Sequence, residues 1–280
     1  MIEKIYVCGC SWSAGHDLDD MENDSWPGQL SKLTNLEVIN DSMCGGSNHR
    51  ILRKTMNFLS KNKDDWDKIL VIPAWSCPSR TEFYLDGSEK KYAEQYPKHI
   101  KSRLHQQNTD NWVWVNQYRA EDMIVNGNNF INNSMAHSWY VQLESPELSY
   151  YNYIMDVLNL QNFCKSNGIK YFQFRAFQFE NIGSANHSKL LKWFGWDKIK
   201  GRKSQTSEYD CKYIFREVAE KAGYEDLIDL VDTELFPSFI NTEHTLHWLS
   251  KTPTGVHPSK EHCGILANEV HKILSDRSIL

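Results

Sequence analysis

Short apolar runs alternate with longer amphipathic stretches along much of the chain. Runs of about four to six apolar residues, ended by glycine, proline or a polar residue, are typical of strands buried on both faces of a sheet. They occur at residues 5–8, 36–39, 68–72 and 169–174, and a fifth strand is predicted at 227–231. Pro73 is expected to end the third strand, because proline has no backbone N–H to donate to a sheet.

Amphipathic helices are predicted between these strands. Residues 47–59 and 151–164 place apolar side chains near one face, and a last helix is expected to begin at Pro258, since proline suits the first helical turn. Strands that alternate with helices predict an α/β fold. The expected fold is a single three-layer α/β/α domain over residues 1–280, with a parallel five-stranded sheet of flavodoxin-like order.

Two stretches interrupt this pattern. Residues 86–149 have no clear period and are rich in asparagine, and they are too long for a bare loop. They are interpreted as an inserted cap or lid. Residues 181–207 carry aromatic residues and a basic run, and are interpreted as a solvated surface segment with buried aromatic side chains.

Charge and composition narrow the class of protein. The chain has 36 acidic and 31 basic residues and a net charge of −5, which argues against a general nucleic-acid binder. No apolar run reaches the roughly 18 residues of a transmembrane helix, so no membrane partner is expected. Seven cysteines without a Cys-x-x-Cys pair, and a first segment typical of a strand rather than a signal peptide, predict reduced thiols and a cytoplasmic location.

The segment after the first strand is the most informative for chemistry. The strand runs into Gly9, and Ser11 follows at once. Ligands of open α/β sheets bind beyond the carboxyl ends of the strands, where Ser11 could serve as a nucleophile or bind phosphate. The glycine spacing matches neither the dinucleotide fingerprint nor a phosphate loop. Taken alone, Ser11 could equally cap a helix.

Three motifs in order resemble those of the SGNH (GDSL-type) hydrolases. Residues 9–15 (GCSWSAG) resemble the first motif block of that family, residues 40–45 (NDSMCG) the second, and His257-Pro258 the last. The resemblance covers about residues 1–85 and 150–280. It implies an esterase or deacylase without a cofactor, whose substrate is a small-molecule or carbohydrate ester with a small acyl group such as acetyl.

The resemblance also implies roles for individual residues. Ser11 would attack the ester carbonyl and His257 would take its proton. The oxyanion would be bound by the backbone N–H groups of Ser11 and Gly45, with Ser76 as a third donor. Substrate contacts are expected from four further residues near the strand ends: Trp12, Asn48, Trp75 and Arg80.

Two departures from the family pattern leave the mechanism open. The Asn-Asp block after the third strand is absent, and Ser76 occupies the approximate place of its asparagine. The acid expected three residues before His257 is Thr254. Another carboxylate (Glu243 and Asp232 are nominated) assists His257, or a Ser-His dyad acts alone, or the chain binds a carbohydrate or other polar ligand without hydrolysis. For a dyad, Thr254→Asp is expected to raise hydrolysis about tenfold.

Other candidates have simpler explanations. Arg80 could hold an anionic substrate group or pair with Glu82. His244 and His247 could ligate a metal from one helix, but no carboxylate partner is identified for them. Cys8, Cys10 and Cys44 could bind zinc, but their spacing matches no familiar site. No metal site is therefore assigned.

Overall fold

The computed structural model describes residues 1–76, 78, 80–84, 112–115, 146–176, 219–232 and 257–280. The strands are β1 (Lys4–Cys8), β2 (Glu37–Asn40), β3 (Ile69–Trp75), β4 (Thr81–Tyr84), β5 (Trp112–Val115), β6 (Lys170–Tyr171) and β7 (Phe174–Arg175). The helices are α1 (Ser11–Ala14), α2 (Met21–Asp24), α3 (Trp26–Thr34), α4 (Asn48–Lys61), α5 (Pro146–Ser166), α6 (Asp226–Asp229) and α7 (Lys260–Asp276), with a 3-10 helix at Lys63–Lys68.

The central sheet is parallel. Its order is β2-β1-β3-β6. β7 follows β6 in the chain and pairs with later residues of β3, so both lie along the same side of β3. The predicted strands at 5–8, 36–39, 68–72 and 169–174 are confirmed, and they occupy the first four positions of the predicted order. The carboxyl ends of β1, β2 and β3 therefore meet at one edge, which is where the candidate chemistry lies.

Pro73 does not end the third strand as predicted, since β3 continues to Trp75. It interrupts the neighbouring strand instead. Phe172 N–H donates to the Val71 carbonyl and Ala176 N–H to the Trp75 carbonyl, so alternate residues of β3 face that neighbour. Pro73 lies between Val71 and Trp75 and has no N–H to give, which explains why the ladder breaks between β6 and β7.

The prediction of a fifth strand at 227–231 is wrong. Residues Asp226–Asp229 form the short helix α6. Ile228 is buried while Leu230 is 61% exposed, which suits a helical turn with one inward face. A run of four or five apolar residues cannot be told from a buried helical turn by its periodicity.

Helices cover both faces of the sheet. Side chains along β1 alternate between the two faces of the sheet. Tyr6 and Cys8 pack in one core with α4 and α5, and Ile5 and Val7 pack in the other with α3 and α7. The structure is thus α/β with a parallel sheet between helices, as the pattern of short runs and amphipathic stretches predicts.

The helix boundaries agree with the prediction in part. Helix α4 begins after Ser47, whose hydroxyl accepts from the Arg50 N–H at 3.1 Å. Helix α5 begins at Pro146, inside the stretch predicted as an insertion. Helix α7 begins at Lys260 with Ser259 as its N-cap, two residues after the predicted start at Pro258, because serine can accept a bond from a free N–H of the first turn.

Part of the predicted insertion is structured. Strand β5 pairs antiparallel with β4, which directly follows the third strand of the sheet. The rest of residues 86–149 up to α5, and residues 181–207, lie outside the described residues. Among the described helices none has the length and apolar character needed to span a membrane.

Candidate active site

Ser11 lies at the carboxyl end of β1, in the first turn of α1. The chain reaches it through Gly9, where a Cβ atom would lie 2.6 Å from Ser13 Oγ and 3.0 Å from Ala74 Cβ. Only glycine fits there, because the turn packs directly against β3. The Ser11 side chain is 4% exposed, and its hydroxyl forms no hydrogen bond within the described part of the chain.

The turn that carries Ser11 is held by its neighbours. Asn40 Nδ2 donates to the Ser13 carbonyl at 2.8 Å, and Trp26 Nε1 donates to Ser13 Oγ at 3.1 Å. Asn40 Oδ1 also accepts from the Ser42 N–H at 3.2 Å. Asn40, the first residue of the second motif, therefore positions the turn that carries Ser11 relative to the next loop.

Gly45 lies in a tight turn beside this segment. The Met43 N–H donates to the Gly9 carbonyl at 3.1 Å, and the Gly46 N–H donates to the Met43 carbonyl at 2.9 Å. Gly45 has φ = 78°, in the left-handed region that favours glycine at the third position of such a turn. The bond between Met43 and Gly9 brings the Gly45 turn next to the Ser11 turn.

A buried ionic network fixes the loop that leads to Gly45. Arg50 donates to the Asp41 carbonyl at 2.8 Å and to Asp41 Oδ1 at 3.1 Å, and Tyr6 OH donates to Asp41 Oδ2 at 3.0 Å. Burial raises the pKa of the nearby Cys8 thiol to about 11, although the charge of Arg50 opposes this. Cys8 is therefore an inert thiol of the core.

His257 pairs with Asp17, a residue that sequence reasoning did not single out. His257 Nδ1 lies 2.7 Å from Asp17 Oδ2, and the His16 ring packs edge-on against the His257 ring at 4.9 Å between centroids. The His16 N–H in turn donates to the Ser11 carbonyl at 3.1 Å. The structure thus brings His257 onto the segment that begins at Ser11, with its Nδ1 side occupied and its Nε2 side left for a second partner.

The surroundings of His257 shift its pKa in both directions. Its side chain is 12% exposed, and burial lowers its pKa below the ordinary value. Asp17 acts in the opposite direction, while electrostatic interactions with His16 and Arg80 lower the pKa further. A neutral imidazole is the form that can accept a proton.

The carboxylates nominated from the sequence do not explain this pairing. Asp232 lies 3.0 Å from Lys165 Nζ and accepts from Tyr171 OH at 3.4 Å, away from His257. Glu243 and Thr254 lie outside the described residues. The family motif gave no signal for Asp17, because it places the acid beside the histidine and not beside the serine.

Helix α7 packs against α2 and α3, and this packing positions His257 just before the helix. Gln29 Nε2 donates to the Asp24 carbonyl at 2.7 Å and to the Lys260 carbonyl at 2.8 Å. Lys260 Nζ also lies 2.9 Å from Asp24 Oδ1. Since His257 precedes the helix by only three residues, these contacts set its approach to Asp17.

Ser76 directly follows β3, at the same edge of the sheet as Ser11. The Ser76 N–H donates to Asn48 Oδ1 at 2.7 Å, and Asn48 Nδ2 donates to the Ser76 carbonyl at 3.2 Å. Arg80 Nη1 donates to Ser76 Oγ at 2.7 Å. The Ser76 backbone N–H is therefore engaged, and its hydroxyl is the group that could donate to an oxyanion. Asn48, predicted to contact the substrate, is buried and positions Ser76.

Both predicted tryptophan contacts point into the interior. Trp75 is fully buried, and its Nε1 donates to Gln173 Oε1 at 3.0 Å. Trp12 is 8% exposed and packs in the core on the other face of the sheet. Trp75 therefore has no surface to offer a substrate, and Trp12 has little.

A small, open cleft lies beside Arg80, and its lining includes Asn48 and His49. Within it His49 Nδ1 lies 2.8 and 2.9 Å from the two carboxylate oxygens of the buried Asp156. The hydrogen bond with Asp156 raises the pKa of His49, and burial raises the pKa of Asp156. This pair was missed from the sequence, because the two residues come from α4 and α5 and share no motif.

Glu82 does not serve as the surface partner considered for Arg80. Its carboxylate is buried and accepts from Arg53 Nε at 2.9 Å and from Arg53 Nη2 at 3.0 Å. Such a bidentate pair is a strong and directional contact. Arg80 instead reaches Ser76 at the edge of the cleft.

One group of possible metal ligands occurs among the described residues, and it differs from those considered from the sequence. It consists of His16, Asp17 and His257, whose ligand atoms all lie within 4.8 Å of one another. A zinc site that uses both Cys8 and Cys10 is wrong, because their side chains lie in the cores on opposite faces of the sheet. His244 and His247 lie outside the described residues.

Comparison with protein families gives a match over most of the chain. A family model matches residues 15–198. The chain belongs to DUF6071, a family of unknown function. The DUF6071 match includes Asp17, Gly45 and His49, and it stops short of Ser11 and His257 at either end. No curated protein matches this DUF6071 chain.

Solved structures similar to this DUF6071 chain include esterases. The psychrotrophic esterase EstA from Pseudoalteromonas sp. is 11% identical, with a TM-score of 0.45, over 99% of this chain and 100% of its own. TesA is 12% identical, with a TM-score of 0.45, over 97% of both chains. A lipase/acylhydrolase from Enterococcus faecalis is 12% identical, with a TM-score of 0.40, over 99% of this chain and 97% of its own. At these identities and TM-scores, the solved structures do not identify functional residues of this chain.

Proposed function

We propose that the chain is a serine hydrolase of SGNH type that cleaves a small acyl ester. The observation that carries the proposal is the 2.7 Å contact between His257 Nδ1 and Asp17 Oδ2, on the segment that begins at Ser11. It supplies the acid that the motif resemblance lacks at Thr254. A carboxylate that accepts from Nδ1–H holds a histidine in the tautomer whose Nε2 can act as a base.

The reaction follows from these positions. Ser11 Oγ attacks the ester carbonyl while His257 Nε2 takes its proton, and the resulting imidazolium is stabilised by Asp17. The N–H groups of Ser11 and Gly45 bind the oxyanion, and the Ser76 hydroxyl is the third donor. His257 then returns the proton to the leaving alcohol. In the second half of the reaction, His257 takes a proton from a water molecule that attacks the acyl group, and it returns the proton to Ser11 Oγ as the acid leaves.

The small cleft beside Arg80 offers polar groups at the carboxyl edge of the sheet. Its lining includes the side chains of Arg80 and His49, together with Ser149 and Asn152. Such groups match the hydroxyls of a sugar better than a long acyl chain, because an acyl chain needs an apolar groove. A small ester, such as an acetyl group on a carbohydrate, is therefore the proposed substrate class.

A second function is favoured by one observation. The place of the family's asparagine is taken by Ser76, whose backbone N–H is already bonded to Asn48 and whose hydroxyl accepts from Arg80. A weakened oxyanion hole would suit a protein that binds a carbohydrate or other polar ligand in the same cleft without hydrolysis.

Labelling and hydrolysis separate the two functions. We expect a fluorophosphonate probe to form an adduct on Ser11, located by peptide mass spectrometry, and Ser11→Ala to abolish both labelling and the hydrolysis of p-nitrophenyl acetate. Ser60→Ala is the matched control, since Ser60 is an exposed serine of α4 that bonds only to the Asn57 carbonyl. Equal hydrolysis by the wild type and Ser11→Ala would favour the binding protein.

A further inference from the structure

We propose that His16, Asp17 and His257 form a binding site for a divalent transition metal ion, with zinc as the fitting ion, and that its occupancy stops hydrolysis. The binding part of this inference stands on the three side chains alone. The inhibitory part rests on the proposed function, because it requires His257 to be the base that activates Ser11.

The donor set and its spacing are those of a zinc site. Two imidazoles and a carboxylate are common zinc ligands, and a fourth position is then left for water. Asp17 Oδ2 lies 2.7 Å from His257 Nδ1, and Asp17 Oδ1 lies 3.4 Å from His16 Nε2. Ligand atoms around a tetrahedral zinc ion are separated by about 3.3 Å, given bonds near 2.0–2.1 Å. One ligand atom from each of the three residues lies within 4.8 Å of the other two, so a bound ion requires side-chain movements to reach that spacing.

An ion can reach these side chains from solvent. His16 and Asp17 are 31% and 34% exposed, while His257 is 12% exposed. Four further carboxylates follow within seven residues of Asp17 on the same loop and helix: Asp19, Asp20, Glu22 and Asp24. Their negative charge attracts cations to this part of the surface and opposes the nearby positive charge of Arg80.

Coordination changes which nitrogen of His257 carries the proton. The proposed function requires that, without metal, Nδ1–H donates to Asp17 and the Nε2 lone pair accepts the Ser11 proton. A metal ion bound at Nδ1 uses that lone pair, so the single proton of the neutral ring lies on Nε2. No net proton is gained or lost by the ring. His257 then cannot accept the Ser11 proton, and Asp17 no longer orients it, so hydrolysis stops.

The binding test measures zinc without reference to activity. We expect isothermal titration of the EDTA-treated protein to show one zinc ion bound with a Kd in the micromolar range, and His16→Gln to weaken it at least tenfold. His271→Gln is the matched control, because His271 lies on α7 outside the cluster. Cobalt(II) should give the visible absorption of a tetrahedral site in the wild type and lose it in His16→Gln. Unchanged zinc affinity in His16→Gln would overturn the site.

The activity test compares each variant with its own rate in EDTA. We expect saturating zinc to reduce p-nitrophenyl acetate hydrolysis and fluorophosphonate labelling of Ser11 at least tenfold in the wild type and His271→Gln, reversibly with EDTA, and to have little effect on His16→Gln at the same concentration. Hydrolysis that rises with zinc, or is insensitive to bound zinc, would overturn the inhibitory role. Zinc bound through His16 in a protein that hydrolyses no ester would support the site and overturn the proposed function.

Discussion

At the scale of single residues, Asp17 decides the state of His257. Its carboxylate lies 2.7 Å from Nδ1, so Nε2 is the ring nitrogen that could act as the proposed base. Asp17 itself has φ = 70°, in a backbone region that costs a residue with a side chain about 1 kcal/mol or more. Its neighbours on the loop must hold it there, which is common for residues that act in a site.

Asp17→Asn is expected to lower kcat for ester hydrolysis by about 10²- to 10⁴-fold with little change in KM, because the amide does not stabilise the imidazolium and favours the wrong tautomer. Asp19→Asn removes an equal charge two residues along the same loop and should retain most of the activity. Steady-state kinetics on p-nitrophenyl acetate measure both. Equal losses in the two variants would show that Asp17 acts only through its charge on the surface. With Asp17 in place, the tenfold gain predicted for Thr254→Asp is no longer expected.

Gly45→Ala is expected to destabilise the protein by about 1–2 kcal/mol, since alanine is strained at φ = 78°, and also to lower kcat at least tenfold because the oxyanion donor moves. Gly168→Ala is the matched control. Gly168 has φ = 65° with no atom within 4 Å of an added Cβ, far along the chain from the site. Urea unfolding should show similar losses of stability for both, and kinetics a loss of activity for Gly45→Ala alone. Full activity in Gly45→Ala would remove Gly45 from the oxyanion hole.

At the scale of elements, the site depends on the docking of α7 against α2 and α3. Gln29 makes the decisive contact, because its single amide nitrogen bridges the Asp24 carbonyl and the Lys260 carbonyl. Gly264 allows this approach, since a Cβ there would lie 2.7 Å from Gln29 Oε1. The helix is thus placed by hydrogen bonds near its first turn as well as by its apolar face.

Gln29→Ala is expected to cost about 1–2 kcal/mol of stability through two lost hydrogen bonds, and to lower kcat several-fold as His257 loses its fixed approach to Asp17. Asn268→Ala on α7 is the control, because the Asn268 side chain bonds only to the Gly264 carbonyl of its own helix. Thermal unfolding and kcat measured together test this. A loss of stability with full kcat would show that the docking contact does not position His257.

The strands and helices show which parts of the fold and of the candidate site could be predicted from the sequence. Four strand positions follow from apolar runs, and the site's edge follows from the place of Ser11 after β1. The helical turn at Asp226–Asp229 was not predictable, because its apolar run is too short to show a period. Asp17 was not predictable either, since its role depends on a partner 240 residues away that only the docked helix brings near.

At the scale of the whole molecule, stability is coupled to pH through the pair formed by the partly exposed His49 and the buried Asp156. His49 of α4 and Asp156 of α5 join two helices on one face of the sheet, and the pKa values of both are raised in the folded state. The folded protein therefore holds protons more tightly than the unfolded chain at these two groups. The contribution of Asp156 to stability therefore falls as the pH rises above the ordinary pKa of an aspartate. The contribution of His49 falls as the pH rises above about 6.5, the ordinary pKa of a histidine.

The free energy of unfolding is expected to decrease as pH rises from about 6.5 through the raised pKa of His49, and this decrease should be smaller in the double variant His49→Gln/Asp156→Asn, which has no titrating group there. Urea titrations at several pH values measure it. His49→Gln alone should cost about 1–3 kcal/mol at neutral pH, because it leaves the buried Asp156 carboxylate without its partner. Identical pH profiles for the wild type and the double variant would contradict the coupling.

The segment of residues 11–17 carries both the serine and the acid, so one long-range contact completes the site. Local opening in proteins follows cooperative units, and α7, which is docked by its apolar face and by hydrogen bonds near its first turn, can open at lower cost than the whole sheet unfolds. Detachment of α7 would withdraw His257 while the parallel strands stay paired. Catalytic activity would then report the attachment of a single helix, and it should disappear at a lower denaturant concentration than the secondary structure of the remaining core.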